Sequence, residues 1–226
     1  MSSKVITEAA VRKAVKTGNG SSYRVPSGKI LSPAAREYLS QQKLDIIYEE
    51  TEVRTKPEHM THLDGETLVP KNHPRIVFRG KLDSLQARII LTQTLLAEEG
   101  KWEKLIRELD DIIAVLMNVM RADVCGEEMP EVQLLGLTQA ELREHSHNPE
   151  KFYQIRQMIM PNYRMGKAYA LLNRLRTAVR ETEIAAVDAH REGDDGGRKD
   201  LETVLNRLSS AMHIMMCRML AKYYDE

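Results

Sequence analysis

Arg176-Thr177-Ala178-Val179-Arg180-Glu181-Thr182-Glu183 lies inside a stretch, from about Gly166 to Arg191, whose apolar positions otherwise recur at helical spacing. Residues three, four and seven apart share one face of a helix, so Arg176, Arg180 and Glu183 point the same way. Leu205-Asn206-Arg207-Leu208-Ser209-Ser210 places a similar polar cluster in a second apolar helix, from about Arg198 to Tyr223. Arginines set into the helices of an apolar bundle call for an anionic or polar partner. The two stretches together predict long helices and mark where a site belongs.

Two more long helices precede them. From about Arg79 to Glu98, Leu82, Leu85, Ile89, Ile90, Leu95 and Leu96 keep helical spacing, and Gly100 ends the run. From about Lys101 to Arg121, Leu105, Ile106, Leu109, Ile112, Ile113 and Leu116 form a wide apolar stripe. Gly126, Pro130 and Gly136 make residues 122–137 a loop. Thr138-Gln139-Ala140-Glu141 is a capping box for a short helix ending near His145, and Asn148-Pro149 opens another that stops before Pro161. Gly193-Asp194-Asp195-Gly196-Gly197 reads as an exposed turn between the last two long helices. The predicted fold is all-α, a five-helix antiparallel bundle over residues 63–226. Residues 1–50 form a small N-terminal α/β appendage and 51–62 a polar linker. In the appendage Ser32-Pro33 caps a helix running to about Gln42, Gly18-Asn19-Gly20 breaks an earlier one, and Tyr23-Arg24-Val25 and Leu44 to Tyr48 read as extended.

Composition narrows the partners. Lys+Arg and Asp+Glu are both 33, so the formal net charge is +0 and nothing global favours nucleic acid or a membrane surface. Anion binding must be local. Aromatics are only 5%, and the 12 methionines read mostly as core, Met212, Met215, Met216 and Met219 among them. Cys125 and Cys217 are far apart and predict reduced intracellular thiols. The N-terminus lacks the apolar core of a signal peptide, and no run reaches the roughly 18 to 20 apolar residues of a membrane span, so a cytoplasmic protein is expected. His145 and His147 are two residues apart without a carboxylate or cysteine partner, which predicts no metal site.

A second chemical region runs from Thr61 to Arg75, Thr61-His62-Leu63-Asp64-Gly65-Glu66-Thr67-Leu68-Val69-Pro70-Lys71-Asn72-His73-Pro74-Arg75. It combines hydroxyls, backbone donors around Gly65 and a lysine in a loop entering a helix, a combination suited to a phosphate chain. It lacks the Gly-x4-Gly-Lys-Ser/Thr of a phosphate loop.

The order of Lys71, Gly80-Lys81-Leu82-Asp83-Ser84-Leu85, Arg176-Thr177 with Arg180 and Glu183, and Asn206-Arg207-Leu208-Ser209 resembles the ATP:cob(I)alamin adenosyltransferases over roughly residues 60–224. Asn118 to Asp123, Leu135 to Leu142, His145-Ser146-His147-Asn148-Pro149, Leu171 to Thr177 and the appendage string Leu31 to Leu39 resemble the ethanolamine-utilisation branch. Some members of that branch carry a His and a Cys-Cys-x-x-Cys metal cluster between appendage and bundle. Glu49 to Met60 contains no cysteine here, so that metal site is not carried over.

The resemblance implies transfer of the 5′-deoxyadenosyl group of ATP to Co(I) of cobalamin, with triphosphate released and Mg²⁺ accompanying it. It implies nucleotide-site roles for Arg176, Arg180 and Glu183, a phosphate-binding role for Lys71, and places for Thr61 and Leu63 in the nucleotide loop. Asn206 and Arg207 would stand around the adenosine and phosphates, and Asp83 would pair with Arg176 across a subunit boundary in a homotrimer. An aromatic or apolar wedge that displaces the lower cobalt ligand is expected before the long helix that opens at about Gly166, where Phe152, Tyr153 and Tyr163 are the candidates. The branch also suggests a bacterial microcompartment as location. Two other classes compete: a non-catalytic adenosylcobalamin carrier, which would not need the triphosphate residues, and a microcompartment-associated helical module, which would not need the arginines.

Overall fold

The polar side of each long helix turns outward and its apolar stripe inward, which is what closes the chain's larger unit into a bundle. The structure, a computed structural model, describes residues 5–17, 21–49, 56–157, 159–191 and 197–225. The predicted turn at Gly193 to Gly196 and the break at Gly18 to Gly20 lie outside the described residues. The chain divides into two compact units, Met1–Lys56 and Pro57–Glu226.

In the first unit β1 (Val5–Ile6) pairs in parallel with β3 (Ile30–Leu31), and β2 (Ser22–Val25) with β4 (Asp45–Tyr48). Parallel pairing needs crossovers, supplied by α1 (Glu8–Thr17) and α2 (Pro33–Gln41). Ser32 caps α2, its Oγ accepting from the Ala35 N–H at 3.1 Å, and Pro33 takes the first helical position. Val11, Val25, Leu31, Ala35 and Leu39 form the small core.

The second unit opens with a hairpin, β5 (Met60–His62) antiparallel to β6 (Leu68–Pro70). β5 falls at the end of the stretch expected as linker. The first long helix, α3 (Pro74–Ala97), starts five residues before the expected Arg79. Its cap explains the difference: His73 Nδ1 accepts from the Arg75 N–H at 3.2 Å, Pro74 has no N–H to satisfy, and buried Phe78 extends the apolar stripe backward. The second, α4 (Glu103–Cys125), runs on past the expected Arg121 to Gly126, which takes the left-handed conformation that ends it (φ 69°). Thr138 and Glu141 close a complete capping box on α5 (Gln139–His147), and α6 (Pro149–Tyr153) follows. α7 (Lys167–Ala189) and α8 (Lys199–Leu220) complete the unit.

Side-chain pairs fix the order of the helices. Lys81 meets Glu181 and Phe78 meets His190, so α3 and α7 are antiparallel; Glu108 meets Arg218, so α4 packs on α8; α5 lies along α8. One continuous core joins them, with Phe78, Leu109, Leu116, Leu172, Leu205 and Met212 fully buried. Each such side chain contributes about 1.5–3 kcal/mol of burial. Ile90, expected on the apolar stripe, is instead 53% exposed beside exposed Leu91, because α3 meets its neighbours along the Leu82, Leu85, Ile89 and Leu96 line only.

Candidate active site

The segment whose composition suits a phosphate chain folds as a hairpin. Asp64 Oδ1 accepts from the Thr67 N–H at 2.9 Å and more weakly from the Glu66 N–H at 3.3 Å, a side-chain-closed turn. Those bonds from Thr67 and Glu66 hold the Asp64 carboxyl below its ordinary value. Leu63 N–H donates to the Thr67 carbonyl at 2.8 Å and Lys71 N–H to the His59 carbonyl at 2.9 Å. Thr61 and Leu63 are half-buried and Lys71 is exposed.

Beneath this hairpin lies a cluster that sequence patterns do not assign. Asp123, on α4, has no solvent exposure. Arg75 Nε donates to its Oδ1 at 3.2 Å, Arg79 Nε to its Oδ2 at 2.6 Å, and His190 Nε2 stands 3.1 Å from Oδ1. Arg79 Nη1 donates at 2.6 Å to the Leu63 carbonyl, so the buried carboxylate is linked through one guanidinium to the hairpin backbone. Burial pushes the Asp123 carboxyl up, but the close approach of His190, the hydrogen bond from Arg79 and the charges of Arg75 and Arg79 overcome it and hold the group at about 2. A sequence signal existed: an aspartate on the apolar stripe of α4, and two arginines four apart on α3.

Farther along α7, toward its N-terminus, stand Arg176 and Arg180. They do not enter the core of the chain. Arg176 is half-buried, with Nε and Nη2 donating to Asn173 Oδ1 at 3.3 and 3.2 Å, and Arg180 is exposed. The helix tilts this face outward between α8 and solvent, while Leu175, Ala178, Val179 and Thr182 fill the interior. Glu183 is half-buried on the same face. On α8, Arg207 Nη2 donates to Asn206 Oδ1 at 3.1 Å, while Arg207 Nε is buried with no hydrogen-bond partner. Burial, then the charge of Arg143 on α5, pulls the Arg207 guanidinium below its ordinary value, with Glu183 acting the other way. Burial and the charge of Arg176 likewise lower His213. Cations held close together, with Glu183 the carboxylate among them, suit a polyanion.

Arg176 opens onto one cavity, and a second adjoins that one. One of about 340 Å³ is lined by Arg176, Tyr169, His213, Met216, Cys217 and residues between Ile155 and Pro161, and is mostly apolar. Burial there raises the Cys217 thiol to about 11, so it stays protonated near neutrality. The other, of about 570 Å³, is lined by His145, Phe152, Tyr153, Arg218 and Tyr223, and shares Ile155 with the first. His145 stacks on Phe152 with ring centroids 3.6 Å apart and lies 2.8 Å from the Tyr153 hydroxyl, which fixes both rings. Tyr163 is 83% exposed in a single 3₁₀ turn, Tyr163–Met165.

The structure therefore gathers Arg176, Arg180, Glu183, Asn206 and Arg207 on the α7–α8 face, and Thr61, Leu63 and Lys71 in the hairpin. Among the described residues it does not bring the two sets into contact within one chain. Asp83 lies exposed on α3, and among the described residues no cation of its own chain pairs with it. Exposed apolar side chains accompany both sets, Val77, Ile90 and Leu91 on α3 and Ile184 and Val187 on α7.

The helical bundle carries an arginine-bearing α7–α8 face and a hairpin ending at Lys71 before α3, and across it the sequence profile of the cobalamin adenosyltransferases, a family of transferases, matches residues 51–219. The chain belongs to that family. Within it, the corrinoid adenosyltransferase EutT of Salmonella typhimurium is 32% identical over 254 residues, covering 96% of this chain and 93% of the relative. The corrinoid adenosyltransferase EutT of Escherichia coli K12 is also 32% identical, over 96% of this chain and 92% of its own. These relatives agree with the ethanolamine-utilisation resemblance of the sequence. A variant of the PduO-type ATP:corrinoid adenosyltransferase of Lactobacillus reuteri, solved with cobalamin and ATP, has the same fold, with a TM-score of 0.58 at 22% identity over 76% of this chain and 93% of that one.

Proposed function

We propose that the protein transfers the 5′-deoxyadenosyl group of ATP to cob(I)alamin, giving adenosylcobalamin and triphosphate, in ethanolamine utilisation. The observation that carries this is the α7–α8 face, where Arg207 keeps a buried, unpartnered Nε near Arg143 and Glu183, and Arg176 lines an apolar cavity. Polyanion and flat apolar ligand are the two surfaces that such a reaction must hold together.

Co(I) is itself the nucleophile. Its electron pair forms the cobalt–carbon bond at C5′ while the C5′–O bond breaks and its electrons leave with the triphosphate. The chain then needs no general base; it must align C5′ with the cobalt and stabilise the departing anion. In this reading Arg176, Arg180 and Arg207 hold the phosphates, Asn206 orients the adenosine, and Lys71 with the Thr61–Leu63 edge closes the nucleotide site. Mg²⁺ would arrive with the phosphates, held by their oxygens and at most one or two carboxylates, of which Glu183 fits the position. When bound, the ion spreads the negative charge of the leaving group.

The cavity beside Arg176 takes the corrin. Excluding water from its lower face is the task of the segment before α7, where Phe152 and Tyr153 line the adjoining cavity and Tyr163 stands exposed. Because the hairpin and the α7–α8 face do not meet within one chain, the site forms between subunits, with Asp83 of one pairing with Arg176 of the next. A homotrimer in the cytoplasm or in a microcompartment fits this reading. Among the described residues no helix is long and apolar enough to cross a membrane. Anaerobic incubation with reduced cobalamin, ATP and Mg²⁺ should yield one triphosphate per adenosylated corrinoid; release of ADP and phosphate instead would overturn the proposal.

A further inference from the structure

Among the described residues the buried Asp123 cluster reaches neither the α7–α8 face nor either cavity, yet its carboxylate is met by Arg75, Arg79 and His190. Structural economy alone does not require it. Taking a carboxylate and two guanidinium groups out of water costs several kcal/mol per ion before pairing, and an apolar side chain on this stripe would avoid that cost. What the cluster does hold is backbone outside the bundle. Arg79 spans the two, with Nε on Asp123 Oδ2 at 2.6 Å and Nη1 on the Leu63 carbonyl at 2.6 Å. Arg75 adds a second fork, from Nε to Oδ1 at 3.2 Å and from Nη2 to the Asp123 main-chain carbonyl. His190, at the end of α7, closes the group at 3.1 Å and packs edge-on against Phe78. The Leu63 carbonyl belongs to the residue whose N–H closes the hairpin turn onto Thr67.

We propose that Asp123 is a positioning residue of the reaction: acting through Arg79, it fixes the Leu63 carbonyl and with it the Thr61–Lys71 hairpin that receives ATP. Asp123 does not touch substrate. It sets the direction of the Arg79 fork, and the fork sets the hairpin's place over the start of α3. His190 ties the same carboxylate to α7, the helix that carries Arg176, Arg180 and Glu183, so the hairpin and the arginine wall are referenced to one buried group. The inference rests on the adenosyl-transfer reading for the identity of the ligand, while the mechanical link does not.

The test uses the full chain with Asp123→Asn, which keeps the shape and removes the charge, and Arg79→Lys, which keeps the charge and removes the fork. Hydrogen exchange of the Leu63 and Lys71 amides should accelerate in both variants, with the amides of α8 unchanged. The KM for ATP should rise by about tenfold or more, since small misplacements of a positioning element carry large kinetic effects. The KM for the corrinoid should stay within about twofold, a split that general loss of stability would not produce. Unchanged hairpin exchange, or equal rises in both KM values, would overturn the proposal. If Asp123→Asn does not fold, Arg79→Lys, whose side chain sits nearer solvent, is read by the same exchange rates and KM values, and the same results support or overturn the link. Wild-type protein without product, but with exchange that responds to the substitutions, would overturn the adenosyl-transfer reading and leave the link standing.

Discussion

Asp123 shows how far a single residue can be read in sequence. Its place on the apolar stripe of α4 is visible there, but its partners come from 44 and 48 positions earlier and from the far end of α7, and no spacing rule connects them. The depressed pKa carries a sign. The folded carboxyl titrates at about 2 against an ordinary 3.8, so its contribution is fully present above that ordinary value and is lost as pH falls toward 2. A shift of that size corresponds to about 2 kcal/mol. The thermal midpoint of the wild type should therefore fall between pH 4 and 2 more steeply than that of Asp123→Asn; parallel curves would contradict the assignment. Arg176 and Arg180 do share a helix face, as their spacing predicts, but that face lies outside the core. Helical spacing gives relative direction on a cylinder, and only packing says which direction is inward.

Elements are legible where their signals are local. The capping box at Thr138 and Glu141, the Ser32-Pro33 cap and the long apolar stripes each rest on residues within a few positions of one another. Thr138→Ala should destabilise the bundle by about 1 kcal/mol in a denaturant titration, the ordinary value of such a cap. The hairpin before α3 is not legible as strands. Each strand is three residues long, β6 ends in Pro70, and the turn is closed by the Asp64 side chain rather than by a tight-turn dipeptide. The helix that follows begins earlier than its apolar pattern because His73, a residue seldom found as a cap, accepts the N–H of Arg75. Phe78, one turn inside that start and fully buried, should cost about 3–5 kcal/mol when replaced by alanine.

At the scale of the whole molecule, the two halves of the proposed site do not meet among the described residues of one chain, and each half is flanked by exposed apolar residues. Ile90 at 53% and Ile184 at 63% exposure are costly on a free surface and ordinary at a subunit contact. Ile90→Asp or Ile184→Asp should lower the mass measured by light scattering and remove turnover together; a variant that dissociates and stays active would contradict a shared site. Mixing Asp83→Ala with Arg176→Ala subunits should restore part of the activity that each lacks alone, because some boundaries then carry both intact partners. Whether the α7–α8 arginines hold ATP while cobalt does the attacking is tested most directly by an anaerobic single-turnover assay with preformed cob(I)alamin, ATP and Mg²⁺, following the cobalt–carbon product spectrum in wild type, Arg176→Ala and Arg180→Ala. Product should form with the wild type, at a rate about 100-fold higher than in each variant, the scale of losing one charge-stabilising contact in the transition state. No product with the wild type, or unchanged rates in both variants, would contradict that division of labour.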